Sequence, residues 1–391
     1  ASVFDTNTAK TKTLAGELPV APGDVALGSR PSRWPWILLF GLLCGWAADT
    51  KLTGWFLPIP FLVWTILARS RRGWVTLIVG GVIALLTLYA FNPAWWTDPI
   101  GGFGEFRRSN LSRAETIPIP VLFLGQVVHT PKQSLPWYNT LVWTAIATPV
   151  GFLAFALAGA VRSIRTRASS DPLPILALGH WIFLLMLRAL PHTPGHDGVR
   201  QFLPAFGCLA LVAGVGAAWA VEKFGRWGKG LVSLALIEGA VSVAAFMPVP
   251  LSYFSPIIGG LPGAARIGME PTYFWDALTD DALSRLHQRV PKGRSVRFAT
   301  YPSSWLYLRK VGKIQVPIWP ISADPPAVYV VQNRPGAFSP VDRLLVKNLG
   351  ADPRNILSQK FGVPLVWAFP YEDYQRTERT VRGQDRPGGT P

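Results

Sequence analysis

Residues 74–91 read WVTLIVGGVIALLTLYAF, eighteen consecutive positions without a charge. An apolar run of about this length is what a helix needs to cross the hydrocarbon core of a bilayer. Six further stretches have the same character: Trp34–Ala48, Gly54–Ala68, Leu141–Val161, Leu173–Leu190, Phe202–Val221 and Leu231–Val249. The first two are short and are joined by the polar tripeptide Asp49-Thr50-Lys51. Pro58 and Pro60 fall inside the second and predict a kink there. Seven spans are therefore expected.

Composition agrees with this reading. Of the 391 residues, 49% are hydrophobic and only 15% charged, and the mean hydropathy is +0.27. A soluble domain carries roughly 25% charged residues, which argues against an ordinary cytosolic enzyme, and the abundance of apolar side chains excludes disorder. Two cysteines cannot build a disulfide scaffold or a cysteine-rich zinc module. The net charge of +16 raises the question of nucleic acid, but the basic residues are placed differently. Arg30 and Arg33 precede the first span. Arg69, Arg71 and Arg72 follow the second, Arg162, Arg165 and Arg167 the fourth, and Lys223, Arg226 and Lys229 the sixth. If the chain alternates across the membrane, all four clusters share one face, which the positive-inside rule makes cytoplasmic. Orientation accounts for these charges without a nucleic-acid partner.

The opposite face then holds Asp49–Lys51, the long loop Asn92–Trp137, the short loop Pro191–Arg200, and everything after Pro248. Beyond Pro250 the periodicity changes. Asp276–Val290 reads as an amphipathic helix, Val341–Leu349 as helical and Ser303–Lys310 as a short helix. Ser295–Ala299, Ala327–Gln332 and Pro364–Phe369 read as strands. The expected fold is thus an α-helical polytopic membrane protein of about seven transmembrane helices followed by a small extracytoplasmic α/β domain. Its expected divisions are a cytoplasmic polar segment at 1–33, the helical domain at 34–249, the α/β domain at 250–375 and a disordered tail at 376–391. No P-loop, GxGxxG or HExxH motif is present. His192 and His196 are four apart but lie in a Pro/Gly loop, which does not predict zinc.

Three outer-side groups carry polar chemistry next to apolar helices. Asp49-Thr50-Lys51 is either a hydrated turn with a snorkelling lysine or a cation that grips a lipid phosphate. NPAWWTDP (92–99) is either an aromatic belt at the interface or a sugar site, in which Trp95 and Trp96 stack on sugar C–H faces and Asp98 accepts from hydroxyls. Glu105, Arg107 and Arg108 continue this loop on an interfacial helix. PHTPGHDGVRQF (191–202) brings His196, Asp197 and Arg200 to the start of an apolar helix, where arginine and the backbone amides favour a phosphate. The alternative there is an Asp cap with a solvated Arg. Glu238, inside the last span, is read either as a buried polar contact or as lining a hydrated cavity.

At these residues a resemblance appears. GLLCGWAADTK (41–51) resembles the helix end, G-x-x-x-G-x-x-x-x-T-K, of the polyprenyl-phosphate-sugar glycosyltransferases of the family 39-like, C-type fold, which include protein O-mannosyltransferases and lipid A aminoarabinose transferases. NPAWWTDP is similar to their outer loop, and HDGVRQFLPAFGCLALVAGVG (196–216) to a later stretch of bacterial members. The resemblance covers about residues 34–260. It implies a glycosyltransferase that moves a sugar from a lipid-linked donor, a polyprenyl-phosphate sugar, to a protein or glycolipid acceptor at the outer surface of the plasma membrane. In that reading Lys51 and Arg200 hold the donor phosphate, and Asp49, Trp95, Trp96, Asp98, Glu105, His196 and Asp197 line the sugar or acceptor site. No cofactor besides the donor is implied, and the reading leaves a divalent metal open. The family's catalytic Asp lies in a loop between its first two spans. No residue here matches it, and Asp5 is not placed beside an outer face. The chain also begins at Ala1, so a preceding part with the catalytic loop is expected. A flippase for lipid-linked glycans, or a non-enzymatic anchor for the α/β domain, would share much of this pattern. A transporter would ordinarily show internal repeats, and none is evident.

Overall fold

The computed structural model describes residues 33–116, 119–130, 132–166, 172–193, 198–272, 277–302 and 304–384. The chain falls into two compact units, 1–99 and 100–391.

In the first unit, helix α1 (Trp34–Thr50) pairs with α3 (Arg71–Phe91). A short 3-10 turn, Leu52–Phe56, and helix α2 (Pro58–Leu67) connect them. The prolines expected to kink the second segment instead sit in the first turn of α2, where a missing N–H costs no helical hydrogen bond. The α1–α3 seam is made by glycine. A Cβ on Gly41 would stand 2.6 Å from the Cβ of Ile83, and one on Gly45 would stand 2.6 Å from the Cβ of Thr87. In lipid the solvent is as apolar as leucine, so helices associate by close backbone approach, and small residues four apart permit it. The two glycines of the GLLCG motif therefore have a packing role in this chain.

The second unit begins with α4 (Pro99–Thr116) and a hairpin of β1 (Ile119–Phe123) and β2 (Gln126–Thr130). Apolar helices follow: α5 (Asn139–Ala147), α6 (Val150–Arg165), α7 (Leu173–Ala189), α8 (Pro204–Phe224) and α9 (Arg226–Phe246). Three described helices, α3, α8 and α9, are long and apolar enough to cross a membrane. Three of the seven expected spans meet that length, and the others fall short of it for local reasons. α1 has 17 residues, the second segment is divided between a 3-10 turn and α2, and α7 is also 17 residues long. The expected span Leu141–Val161 is two helices, broken where Thr148 is extended and Pro149 caps α6.

That break explains Glu238. Its two carboxylate oxygens accept hydrogen bonds from the backbone N–H groups of Val150 and Gly151, each at 2.7 Å. A helix start leaves its first N–H groups without partners, and an anion there is further favoured by the helix dipole. Glu238 on α9 supplies both the acceptor and the charge from a neighbouring helix. Gly151 lets the helices approach, since a Cβ there would meet Ala235 at 2.6 Å. Further along, α6 and α8 touch backbone to backbone: a Cβ on Gly159 would run into the Val212 carbonyl, and one on Gly216 into that of Phe155.

After α9 come α10 (Gly260–Arg266), α11 (Asp280–Arg289), β3 (Ser295–Phe298), α12 (Trp305–Lys310), β4 (Pro326–Gln332), α13 (Pro340–Leu349), β5 (Ile356–Lys360), β6 (Val363–Pro370) and α14 (Tyr371–Gln384). The sheet order is β3-β4-β6-β5, with β3 parallel to β4 and the other pairs antiparallel. Alternation along β4 sends Val328 and Val330 to one face and Tyr329 and Val331 to the other. The second face packs with Leu345, Trp367, Phe369 and Tyr374. There Tyr329 donates to Asp342, which also closes a capping box with Ser339 at the start of α13. Burial first, then the Asp342 carboxylate, push the Tyr329 pKa up. The first face belongs to one apolar core that runs from Trp143 and Trp181 through Phe254 and Leu286 to Val366. Composition changes at 249/250, but this core continues through that point.

The polar stretch expected as a tail from 376 is helical to Gln384, and 385–391 lie outside the described residues. Spacing rather than composition decides it. Glu372–Arg376 and Glu378–Arg382 are oppositely charged pairs four apart, and Tyr374 is buried against Tyr329 with ring centroids 4.2 Å apart. Helix α11 starts at Asp280 behind a Thr279 cap, and Asp276, where it was expected to begin, is outside the described residues. Strand β5 was not foreseen.

Two substitutions test this packing by thermal unfolding in detergent. Gly159→Ala is expected to destabilise by about 1–3 kcal/mol through overpacking, whereas Gly214→Ala on α8, which meets nothing within 4 Å, is expected to leave the midpoint unchanged or raise it. Glu238→Leu is expected to cost about 1–3 kcal/mol for each N–H it strands, with Glu238→Gln losing less because one acceptor oxygen remains.

Candidate functional site

The first unit gathers its polar candidates at the end where α1 stops and α3 stops. Asp49 Oδ1 accepts from Asn92 Nδ2 at 2.6 Å, and the same Nδ2 donates to the Leu88 carbonyl at 2.7 Å. Asn92 is the residue that ends α3, so one amide ties the ends of the two helices together. The loop after α1 is drawn back onto that helix. Lys51 takes up an extended backbone and its N–H donates to the Ala47 carbonyl, while Trp55 Nε1 donates to the Ala48 carbonyl at 3.1 Å. A Cβ on Gly54 would collide with the Ala47 carbonyl, so only glycine permits this return.

NPAWWTDP folds back in the same way. Pro93–Trp95 form one 3-10 turn. Trp96 Nε1 donates to the Tyr89 carbonyl at 3.0 Å, which holds the indole beside the last turn of α3 with 55% of its surface exposed. Trp95 is half-buried and Asp98 exposed. Asp49, Lys51, Trp95 and Trp96 thus flank one helix-end junction, with a fixed carboxylate, a cation two residues away and an indole open to a ligand. That set can accept hydroxyl hydrogen bonds, oppose an anionic group and stack on a sugar ring or lie in a lipid interface.

The candidates in the second unit are arranged separately. Glu105 lies exposed on α4, as do Arg107 and Arg108, so a helix is present over these residues. Arg200 is exposed on the 3-10 turn Arg200–Phe202, and α8 starts only at Pro204. The guanidinium therefore precedes the helix by a turn. His196 and Asp197 lie outside the described residues. The part of their loop that is described is anchored: the His192 N–H donates to Ser134 Oγ at 3.0 Å, and Thr193 Oγ1 donates to the Leu190 carbonyl at 2.9 Å. Among the described residues no three His, Cys, Asp or Glu side chains gather as a metal-binding group.

Two features escaped the sequence reading. The first is Asn92, whose Asn-Pro pair closes an apolar run and signals a helix end with a side chain able to bridge. The second is a buried polar seam at the end of β4. Glu270 Oε1 accepts from the Gly336 N–H at 3.1 Å, Thr272 Oγ1 donates to the Asn333 carbonyl at 2.9 Å, and Asn333 Nδ2 donates to the Pro364 carbonyl at 2.6 Å. The β1–β2 turn docks beside it, with the Gly125 N–H on the Gly268 carbonyl and the Leu124 N–H on Met269 Sδ. These contacts join the β1–β2 hairpin to the end of the sheet. Their partners are far apart in sequence, and no local pattern announces them.

Comparison with protein-family models, with curated proteins and with solved structures finds no match.

The Asn92 bridge has a direct readout. Asn92→Ala is expected to speed amide hydrogen exchange at Trp95 and Trp96 by about 2- to 10-fold, the equivalent of roughly 0.5–1.5 kcal/mol for one lost hydrogen bond. Amides in the middle of α3 are expected to keep their protection. Uniform exchange across variant and parent would show that the bridge does not hold this junction.

Proposed function

We propose that this chain is an integral-membrane glycosyltransferase that moves a sugar from a polyprenyl-phosphate donor to a protein or glycolipid acceptor on the extracytoplasmic face. The observation that carries this reading is the Asp49–Asn92 bond. It brings the two motifs on which the resemblance rests, GLLCGWAADTK and NPAWWTDP, to one helix-end junction. In this reading all seven apolar segments lie in the plasma membrane. The clusters at Arg69–Arg72, Arg162–Arg167 and Lys223–Lys229 face the cytoplasm, and the sheet of the second unit lies outside.

Sugar transfer from such a donor breaks the anomeric C–O bond, and the electron pair leaves with the lipid phosphate. Lys51 in the first unit and Arg200 in the second are each proposed as a cation for a lipid phosphate, able to stabilise the charge that develops as such a group departs. Arginine can do so through two parallel hydrogen bonds, lysine as a point charge. Trp95 and Trp96 stack on the sugar. Asp49, Asp98, Glu105, His196 and Asp197 orient hydroxyls of sugar or acceptor. General-base help to the acceptor hydroxyl is assigned to no residue of this chain, because none matches the family's catalytic Asp.

Reconstituted with a radiolabelled polyprenyl-phosphate hexose, the full-length protein is expected to transfer label to an acceptor. Arg200→Ala and Lys51→Ala are each expected to lower transfer by about 10- to 100-fold, as for loss of a charge-assisted contact worth about 1.5–3 kcal/mol. Both variants are expected to accumulate in the membrane as the parent does. Arg354→Ala, a surface residue paired with Asp352, is expected to be silent. Label that crosses the bilayer without being transferred would overturn the glycosyltransferase reading in favour of a flippase.

A further inference from the structure

Phe361 stands at the tip of the β5–β6 hairpin, between Lys360 and Gly362. Its φ is +49°, a left-handed conformation that a bulky side chain adopts only under strain, and its ring is 52% exposed. In a hairpin surrounded by water both features would be unfavourable together, and glycine or asparagine would relieve them.

The position of this tip is defined by α9. The Phe361 ring packs edge-on against Phe246, the last residue of α9, at 5.1 Å between centroids. Lys360 Nζ donates to the Met247 carbonyl at 3.1 Å. At the other end of α9, Arg226 lies over the Trp227 ring at 5.6 Å, and Lys223 lies over Trp219 at 5.0 Å. Such aromatic and basic pairs mark a membrane–water boundary. From Trp227 to Phe246 a helix rises about 29 Å, close to the roughly 30 Å of bilayer hydrocarbon. Between the two levels Leu231, Leu234, Ile237 and Val241 follow one another at helical spacing, each more than half exposed. If the boundary at Trp227 is one edge of the hydrocarbon, Phe246 and Phe361 lie at the other.

We infer that the Lys360–Phe361 tip is a lipid anchor: the Phe361 ring enters the boundary between headgroups and acyl chains of the outer leaflet beside α9, with the Lys360 ammonium at headgroup level. The occupant is lipid, because the ring is exposed where the hairpin tip packs on the buried end of α9 at Phe246, and because the adjoining Met247 is 55% exposed at the same level. The anchor fixes the β5–β6 edge of the sheet to the bilayer surface. It rests on α9 being a span but needs no glycosyltransferase chemistry.

The test uses the full chain in phosphatidylethanolamine–phosphatidylglycerol liposomes, with Cys44→Ala and Cys208→Ala as background. Nitroxides are attached after Phe361→Cys, Met247→Cys, Val241→Cys or Lys347→Cys, one at a time. Collision with oxygen, which concentrates in lipid, is compared with collision with a water-soluble nickel chelate. Labels at 361 and 247 are expected to favour oxygen, as the mid-span label at 241 does, and the exposed α13 label at 347 is expected to favour nickel. The 247 label leaves the hairpin turn intact and so reports the same level if the 361 label disturbs it. A lipid signature at 241 with an aqueous one at both 361 and 247 overturns the anchor and leaves the span standing. Dipolar broadening between copies at 361 overturns it too, since a second molecule would then cover the tip. An aqueous signature at 241 removes the span and the anchor with it.

Discussion

Backbone N–H and C=O groups in hydrocarbon have no water to turn to, and this constraint orders the second unit. Where the expected long span breaks at Thr148-Pro149, the new helix start leaves N–H groups without intrahelical partners beside α9, a helix apolar and long enough to cross a membrane. The two oxygens of Glu238 meet two of them. An acidic residue in an otherwise apolar helix looks like a liability when α9 is read alone. Read with α6 it is the condition that allows the break, and the break in turn lets α5 turn aside and pack Trp143 between Phe123 and Phe254.

Close approach of backbones is the second theme. Gly41 and Gly45 meet α3, Gly159 and Gly216 meet across α6 and α8, and Gly228 meets the Ala220 carbonyl across the α8–α9 turn. These seams give dispersion contact where the hydrophobic effect gives none. They also temper the resemblance to glycosyltransferases. The glycines of GLLCGWAADTK are accounted for by helix packing, so the weight of that motif falls on its polar end, Asp49 and Lys51.

Legibility in the sequence followed the range of the interaction. Apolar stretches and the strands at Ser295, Ala327 and Pro364 were visible because hydropathy and period-two alternation are local. The helical character of 376–384 was missed because composition counts charges and ignores their spacing, and four-residue spacing is what turns Glu378 and Arg382 into a pair. The break at Pro149 was hidden inside an apolar run, since its compensation comes from Glu238, more than eighty positions away. At the candidate site, residue types pointed to Asp49, Lys51 and the two tryptophans, but Asn92, which joins them, shows only when α1 and α3 lie side by side.

The docking of the β1–β2 turn has a consequence for synthesis. Leu124 finds its partner, Met269, 145 residues later in the chain. At a translation rate of about 5–20 residues per second, the hairpin is made roughly 7–30 s before the segment it rests on exists. During that interval Val121, Leu122 and Phe123, all buried in the finished protein, have no sheet to lie against. Until then the strand pair has only nearby partners, such as Tyr138 and Trp143 beside Phe123, and its contact with Met269 waits for the carboxyl-terminal third of the chain.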